Sequence, residues 1–191
     1  MKKYLNYSVV TAAVVLLVAG CSTAPSKFYT LNSTVESTGK AGAGYAVMIG
    51  PVSVPMEVDR PQFTVQVAAN RVQIDEFNRW VEPLSNNIAR AVAGNLVKLL
   101  GAPRIISVPM ANFSPDYRVT IDIQKFESMP GKTAKIDAVW VVRKLPDGKA
   151  FSGRTVVTEP VKGSSYDELA AAHSRALGKI SRDIASAIQS K

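Results

Sequence analysis

Apolar residues recur along this chain with two different periods, and the change of period marks out its elements. Phe28-Tyr29-Thr30-Leu31 predicts a short strand, and Tyr45 to Val54 a second one, interrupted by Gly50-Pro51 as a bulge or edge. Phe63, Val65 and Val67 alternate with Thr64 and Gln66, the period of a half-buried strand. Arg71 to Ile74 alternates too, which makes Ala69-Asn70 a tight hairpin turn. From Leu84 the spacing becomes helical: Leu84, Ile88, Val92, Leu96 and Leu99 step by three or four, with Asn86, Asn87, Arg90 and Lys98 elsewhere on the wheel. Pro83 suits the first turn of that helix, and Gly101 followed by Pro103 ends it. Ile105-Ile106 starts a short strand, and Tyr117, Val119, Ile121 and Ile123 alternate with polar residues in a longer one. Ile136 to Val142 and Phe151 to Val157 form two more, joined by a turn at Pro146-Asp147-Gly148. Ser165 and Glu168 have capping-box spacing and open an amphipathic helix through Leu169, Leu177, Ile180, Ile184 and Ile188. The pattern predicts an α+β domain: a mostly antiparallel sheet of about six or seven strands, with two amphipathic helices packed on one face.

The N-terminus follows a different logic. Met1-Lys2-Lys3, an apolar run from Val9 to Ala19 and small residues before Cys21 make a secretory signal peptide over residues 1–20. The run is about half the roughly 20 residues that span a bilayer, which disfavours a permanent membrane helix with Cys21 as an ordinary buried thiol. Leu17-Val18-Ala19-Gly20-Cys21 resembles a bacterial lipobox, with Val18 where leucine is favoured. That resemblance implies that Cys21 carries a diacylglyceryl thioether and an acylated amine. Residues 21–44 then read as the lipidated N-terminus, the short first strand and a flexible loop rich in Ser, Thr and Gly. Residues 45–191, together with strand 28–31, read as one globular domain, large enough for one core. Ser22, where an aspartate would resemble an inner-membrane retention mark, points to the outer membrane.

The formal charge is +8, and removing Lys2 and Lys3 with the signal leaves +6, spread along the chain. Spread cations of this kind form a solvated surface with a weak preference for anionic headgroups. An exported chain has no call to bind nucleic acid.

Groups for catalysis are scarce. His173 is the lone histidine and sits on the edge of the last helix's apolar face, where packing is the plain reading. One histidine and one cysteine build neither the common metal sites nor the nucleophile sets, so no metal, no cofactor and no enzyme activity are expected. Asp75 and Glu76 are adjacent, point to opposite faces of a strand and more naturally flank a turn. Gly39-Lys40-Ala41-Gly42-Ala43-Gly44 lacks the order of a phosphate-binding loop.

Two segments are denser in rare residue types. Ile49-Gly50-Pro51-Val52 is followed by Asp59-Arg60-Pro61-Gln62, and Glu76-Phe77-Asn78-Arg79-Trp80-Val81-Glu82-Pro83-Leu84 leads into the first helix. Phe77 and Trp80 bury large apolar area, and Arg79 is able to pair with Glu76 or Glu82. Asp59, Arg60, Glu76, Phe77, Arg79, Trp80 and Glu82 are therefore candidates either for fixing the helix entry or for an interface, where Trp and Arg are enriched. With the lipobox, these motifs resemble the PqiC/YmbA family, auxiliary lipoproteins of ABC-type and Pqi-type intermembrane transport systems, over roughly residues 17 to 100. The resemblance implies a periplasm-facing, homo-oligomeric lipoprotein of the outer membrane. It further implies work with an MCE-domain tunnel protein and inner-membrane transporter components in moving lipid. A lipoprotein enzyme or activator acting on peptidoglycan, and a standalone small-ligand binding lipoprotein, are the rival readings.

Overall fold

The computed structural model describes residues 24–37, 39 and 44–190; the signal peptide and Cys21 lie outside the described residues. In chain order the elements are β1 (Lys27–Tyr29), β2 (Ala46–Ser53), β3 (Gln62–Ala68), β4 (Arg71–Trp80), α1 (Leu84–Leu100), β5 (Arg104–Ile106), β6 (Tyr117–Met129), β7 (Thr133–Lys144), β8 (Ala150–Pro160) and α2 (Tyr166–Gln189). They form an α+β fold with two sheets. A five-stranded sheet has the order β5-β2-β6-β7-β8, and a three-stranded sheet the order β1-β4-β3.

The sheets are mixed rather than mostly antiparallel. β1 runs parallel to β4, and β2 runs parallel to both β5 and β6. The three antiparallel pairings are the hairpins β3–β4, β6–β7 and β7–β8. Alternation reveals that a segment is a strand but not its partner, and parallel pairing arises here because β2 reaches β6 only after a helical crossover. The short β1 and β5, each three residues, complete the sheet edges.

Both helices pack on the five-stranded sheet, α1 over β2 and β5 and α2 over β7 and β8, with the helices also against each other. The alternating residues Val119, Ile121 and Ile123 of β6 and Ile136, Ala138 and Val142 of β7 are buried in this core. Trp140 lies opposite Gly153 of β8, and a Cβ on that glycine would stand 2.2 Å from the indole Cζ2. The indole thus fills the space a side chain would need, and its Nε1 donates to Thr155 Oγ1 at 3.0 Å. Helix α1 starts with Pro83 as N-cap and stops at Gly101, whose φ of 61° is the left-handed turn that glycine adopts without a Cβ clash. At α2, Ser165 Oγ accepts from Glu168 N at 3.2 Å, the first half of the capping box.

The segment after β1 departs from its reading as a loop. Residues 31–35 lack regular structure but lie along α1 and α2, with Leu31 and Val35 buried. Their amides donate to helix side chains: Leu31 N to Asn87 Oδ1 at 2.8 Å, Thr34 N to Asn95 Oδ1 at 3.1 Å, and Asn32 N to Ser174 Oγ at 3.1 Å. Asn95 Nδ2 in turn donates to Ser181 Oγ at 3.2 Å, tying the helices together beneath the strap. Gly94 and Gly178 allow this close approach, since a Cβ would meet Ser33 Cβ at 3.2 Å and Thr34 Oγ1 at 2.8 Å respectively. Asn87, read as one of the polar positions on the helix wheel, is therefore fully buried.

Candidate functional site

The β3–β4 hairpin is extended at one end and anchored at the other. Its anchored end is built on aromatic rings. Phe63 stacks on Trp80 with centroids 4.0 Å apart and meets Tyr29 and Tyr166 edge-on at 5.4 and 5.1 Å. Trp80 meets Phe126 edge-on at 6.1 Å, and Phe126 stacks on His173 at 3.8 Å. This row of rings fastens the small sheet to β6 and α2, and each such pair contributes beyond the area it buries. His173 is fully buried, with Nε2 at 2.8 Å from Ser128 Oγ. Burial lowers its pKa to about 3, so the ring is neutral at physiological pH and serves packing.

Strand β4 carries a wide irregularity just before this end. Phe63 pairs with Asp75 while the preceding Gln62 pairs with Arg79, so Glu76, Phe77 and Asn78 bulge outward. Asp75 holds the bulge: its Oδ1 accepts from Phe77 N and Asn78 N, both at 2.9 Å, and its Oδ2 accepts from Tyr166 OH at 2.7 Å. Burial alone would raise the Asp75 pKa, but these hydrogen bonds outweigh it and hold the carboxyl below its usual range. Burial, with the hydrogen bond to the Asp75 carboxylate added to it, pushes the Tyr166 hydroxyl upward. Arg79 Nε donates to Glu76 O at 2.9 Å, and Gln62 Nε2 donates to Glu76 Oε2 at 3.2 Å. Of the two carboxylates open to it, Arg79 thus takes Glu76, at 3.7 Å, while Glu82 takes Arg90 at 2.9 Å. Phe77 is exposed on the bulge.

Beyond Trp80 the chain turns into α1, and the loop before β3 comes alongside it. Trp80 N donates to Pro61 O at 2.7 Å, and Val81 N donates to Tyr29 O at 2.9 Å. The loop itself is folded by Val58 N and Asp59 N, which both donate to Pro55 O. A cleft of about 340 Å³ results, lined by Asp59, Arg60 and Pro61 on one side and Trp80, Val81, Glu82 and Pro83 on the other. Four of the seven candidate residues, Asp59, Arg60, Trp80 and Glu82, meet here, whereas Glu76 and Phe77 sit on the bulge and Arg79 pairs just beyond it. Arg60 Nε is shut off from solvent with no acceptor, and Val81 is 60% exposed at the rim. Pro61, Val81 and Pro83 lie inside the two motifs but were not singled out as site residues, because nothing in a pattern of charges or aromatics marks them. Among the described residues no three His, Cys, Asp or Glu side chains are grouped to hold a metal ion. No helix among those residues is long and apolar enough to cross a membrane.

The family model for the ABC-type transport auxiliary lipoprotein component matches residues 29–185. The chain belongs to this family. It is the PqiC/YmbA-type family that the lipobox and the two motifs resembled, and membership makes the chain a transport-associated lipoprotein. Among solved structures, an uncharacterized protein aligns with a TM-score of 0.72 at 17% identity, covering 86% of this chain and 99% of its own. A protein from Xanthomonas campestris aligns with a TM-score of 0.67 at 18% identity, covering 84% and 93% respectively. At such identities these structures establish the shared fold of the family. No curated protein sequence matches.

Proposed function

We propose that this auxiliary lipoprotein is a non-catalytic, outer-membrane-anchored subunit of an intermembrane lipid transport system. It works with an MCE-domain tunnel protein through the cleft between Asp59-Arg60-Pro61 and Trp80-Val81-Glu82-Pro83. The observation that carries the reading is this convergence: two motifs about twenty residues apart, both of the family's kind, share one cleft on a rigid aromatic base. A rim valine over a buried tryptophan, flanked by an arginine whose Nε lacks an acceptor, is the composition of a protein interface centre. Membership in a transport auxiliary family supports a role beside a transporter rather than a reaction of its own. His173, sealed and stacked, is in no position to move protons for a substrate.

The test is capture of an MCE-domain partner from membranes by the lipidated protein and by Val81→Glu. Val81 is a surface residue, so the variant is expected to melt with the parent, within about 0.5 kcal/mol, and to lose capture at least about tenfold. Unchanged capture would remove the cleft from the proposal.

A further inference from the structure

The other end of the small sheet has a composition that the cleft does not explain. From Val67 to Ile74 every residue except the chain's turn glycine-free Ala69-Asn70 pair belongs to a strand, yet all of them are exposed. Val67 is 45% and Val72 54% exposed, so the hairpin tip displays apolar side chains that the core does not use. The neighbouring turn between β6 and β7 borders the same groove, which Val67, Ala68, Ala69, Met129, Pro130 and Lys132 line. A third turn joins them, for Gly131 N donates to Gly163 O and Val161 N to Lys132 O. These turns carry Arg71, Lys132 and Lys162, and the stretches 66–72, 129–133 and 160–164 contain no Asp or Glu. Glu57 and Glu127 border the hollow on the Val72 flank, together with Lys125, so the cationic face of the tip is the one formed by its turns. An apolar tip with such turns suits an anionic bilayer surface.

The lipid anchor approaches from this same end. β1 runs parallel to β4 with Lys27 beside Asn78, so the chain enters β1 from the side of the β3–β4 turn. Five residues lie between Cys21 and Lys27, and the six steps of chain reach at most ~20 Å. The arm from Asn78 to Arg71 is seven steps of strand, at most about 23 Å because the bulge shortens it. The fully extended tether and the arm are thus of similar length, so a bilayer holding the anchor lies within reach of the tip. Phe28, 63% exposed on β1, lies along the way, the kind of ring that settles at headgroup depth.

We propose that the β3–β4 tip, with the adjoining cationic turns, is a bilayer-contacting surface that rests in the headgroups of the membrane holding the anchor. The Asp59–Glu82 cleft, at the opposite end of β4, is thereby turned toward the periplasm. The inference rests on lipidation at Cys21, which leaves engineered cysteines as the reactive thiols of the mature protein.

The experiment uses the full lipidated protein on vesicles of phosphatidylethanolamine and phosphatidylglycerol. An environment-sensitive fluorophore is attached at Ala69→Cys, on the tip, or at Lys149→Cys, on the turn at the far end of β7. Flotation of protein with vesicles reports the anchor, and quenching by spin-labelled lipid reports contact. The expected result is flotation of both, a blue shift and quenching by about half at position 69, and neither change at position 149. Arg71→Glu combined with Lys132→Glu, exposed changes, should weaken the quenching at 69 without altering flotation. Flotation with identical, unquenched signals at both positions would overturn the bilayer surface and leave the anchor standing. A blue shift at 69 without lipid quenching would also overturn it, by showing that a second protein copy covers the tip. Failure to float would overturn the anchor and this inference together.

Discussion

The two ends of the β3–β4 hairpin share a backbone and differ in almost everything else. At the Trp80 end, Phe63, Trp80, Tyr29 and Phe126 interlock, and every inward side chain is buried. At the Val67–Val72 end the same two strands project with both faces in solvent. The buried end is held by tertiary packing, so its sequence answers to the fold. The projecting end owes nothing to the core, and its valines and cations are left to be explained by what they touch. A bulge secured by Asp75 lies between the two, and β3 stays buried through Val65 before the hairpin projects.

The sharpest contrast comes from inserting a charge on each side. Leu96→Asp or Ile180→Asp places a carboxylate among residues with at most 1% exposure, and the expected outcome is loss of the folded state. Val72→Asp at the tip should shift stability by no more than about 0.5 kcal/mol. Thermal melts followed by circular dichroism distinguish these outcomes, and a tip variant as damaging as Leu96→Asp would erase the comparison. Next in size, Trp80→Ala removes a ring stacked on Phe63 and should cost about 3–5 kcal/mol, read from chemical denaturation. If the cost fell below about 1 kcal/mol, the aromatic row would not be what fastens the small sheet.

A smaller effect tests the strap. Asn95→Ala leaves the amides of Thr34 and Val35 and the Ser181 hydroxyl short of a partner, with an expected loss of about 1–3 kcal/mol. Amide exchange at Thr34 should rise with it, whereas exchange at the tip should not change. The smallest effect is a slope. His173 is neutral when folded, with its pKa lowered to about 3, and titrates near 6.5 when unfolded. Between those values the unfolded chain binds the extra proton, so stability falls as pH drops below about 6.5, by up to ~1.4 kcal/mol per pH unit. His173→Gln should flatten that part of the stability–pH curve, and an unchanged slope would assign it to other groups.

Much of this architecture was legible in the chain, and the gaps have physical causes. Both helices and most long strands follow from their periods, and Gly101 and Ser165 mark helix ends because capping is a local matter. The second half of β4 does not, because the bulge at Glu76 to Asn78 breaks its alternation and Asp75-Glu76, read as flanking a turn, lie within the strand. The hairpins β3–β4 and β7–β8 were legible from their turns, but the parallel partners were not, since alternation carries no information about direction, and three pairings are parallel. Leu31 was read as the end of a strand and residues 32–35 as a loop because their amides are satisfied by Asn87, Asn95 and Ser174 rather than by a ladder. The trace they leave is on the helices instead: Asn87 and Asn95 stand two turns apart on one face of α1, and Ser174 and Ser181 do likewise on α2. Of the candidate residues, Trp80 was noticed for its type and is a buried ring, while Val81, the exposed member of the cleft, is too ordinary to notice. Arg79 had two acidic neighbours within reach, and only the bulge geometry decides for Glu76.

The central claim is that this lipoprotein meets a protein partner at one end of the small sheet and the bilayer at the other. A photo-crosslinking amino acid placed at Val81 or at Val72, in cells making the lipidated protein, tests both ends at once. The account predicts that Val81 captures an MCE-domain protein and that Val72 captures lipid without protein. Capture of that protein from Val72, with none from Val81, would contradict it.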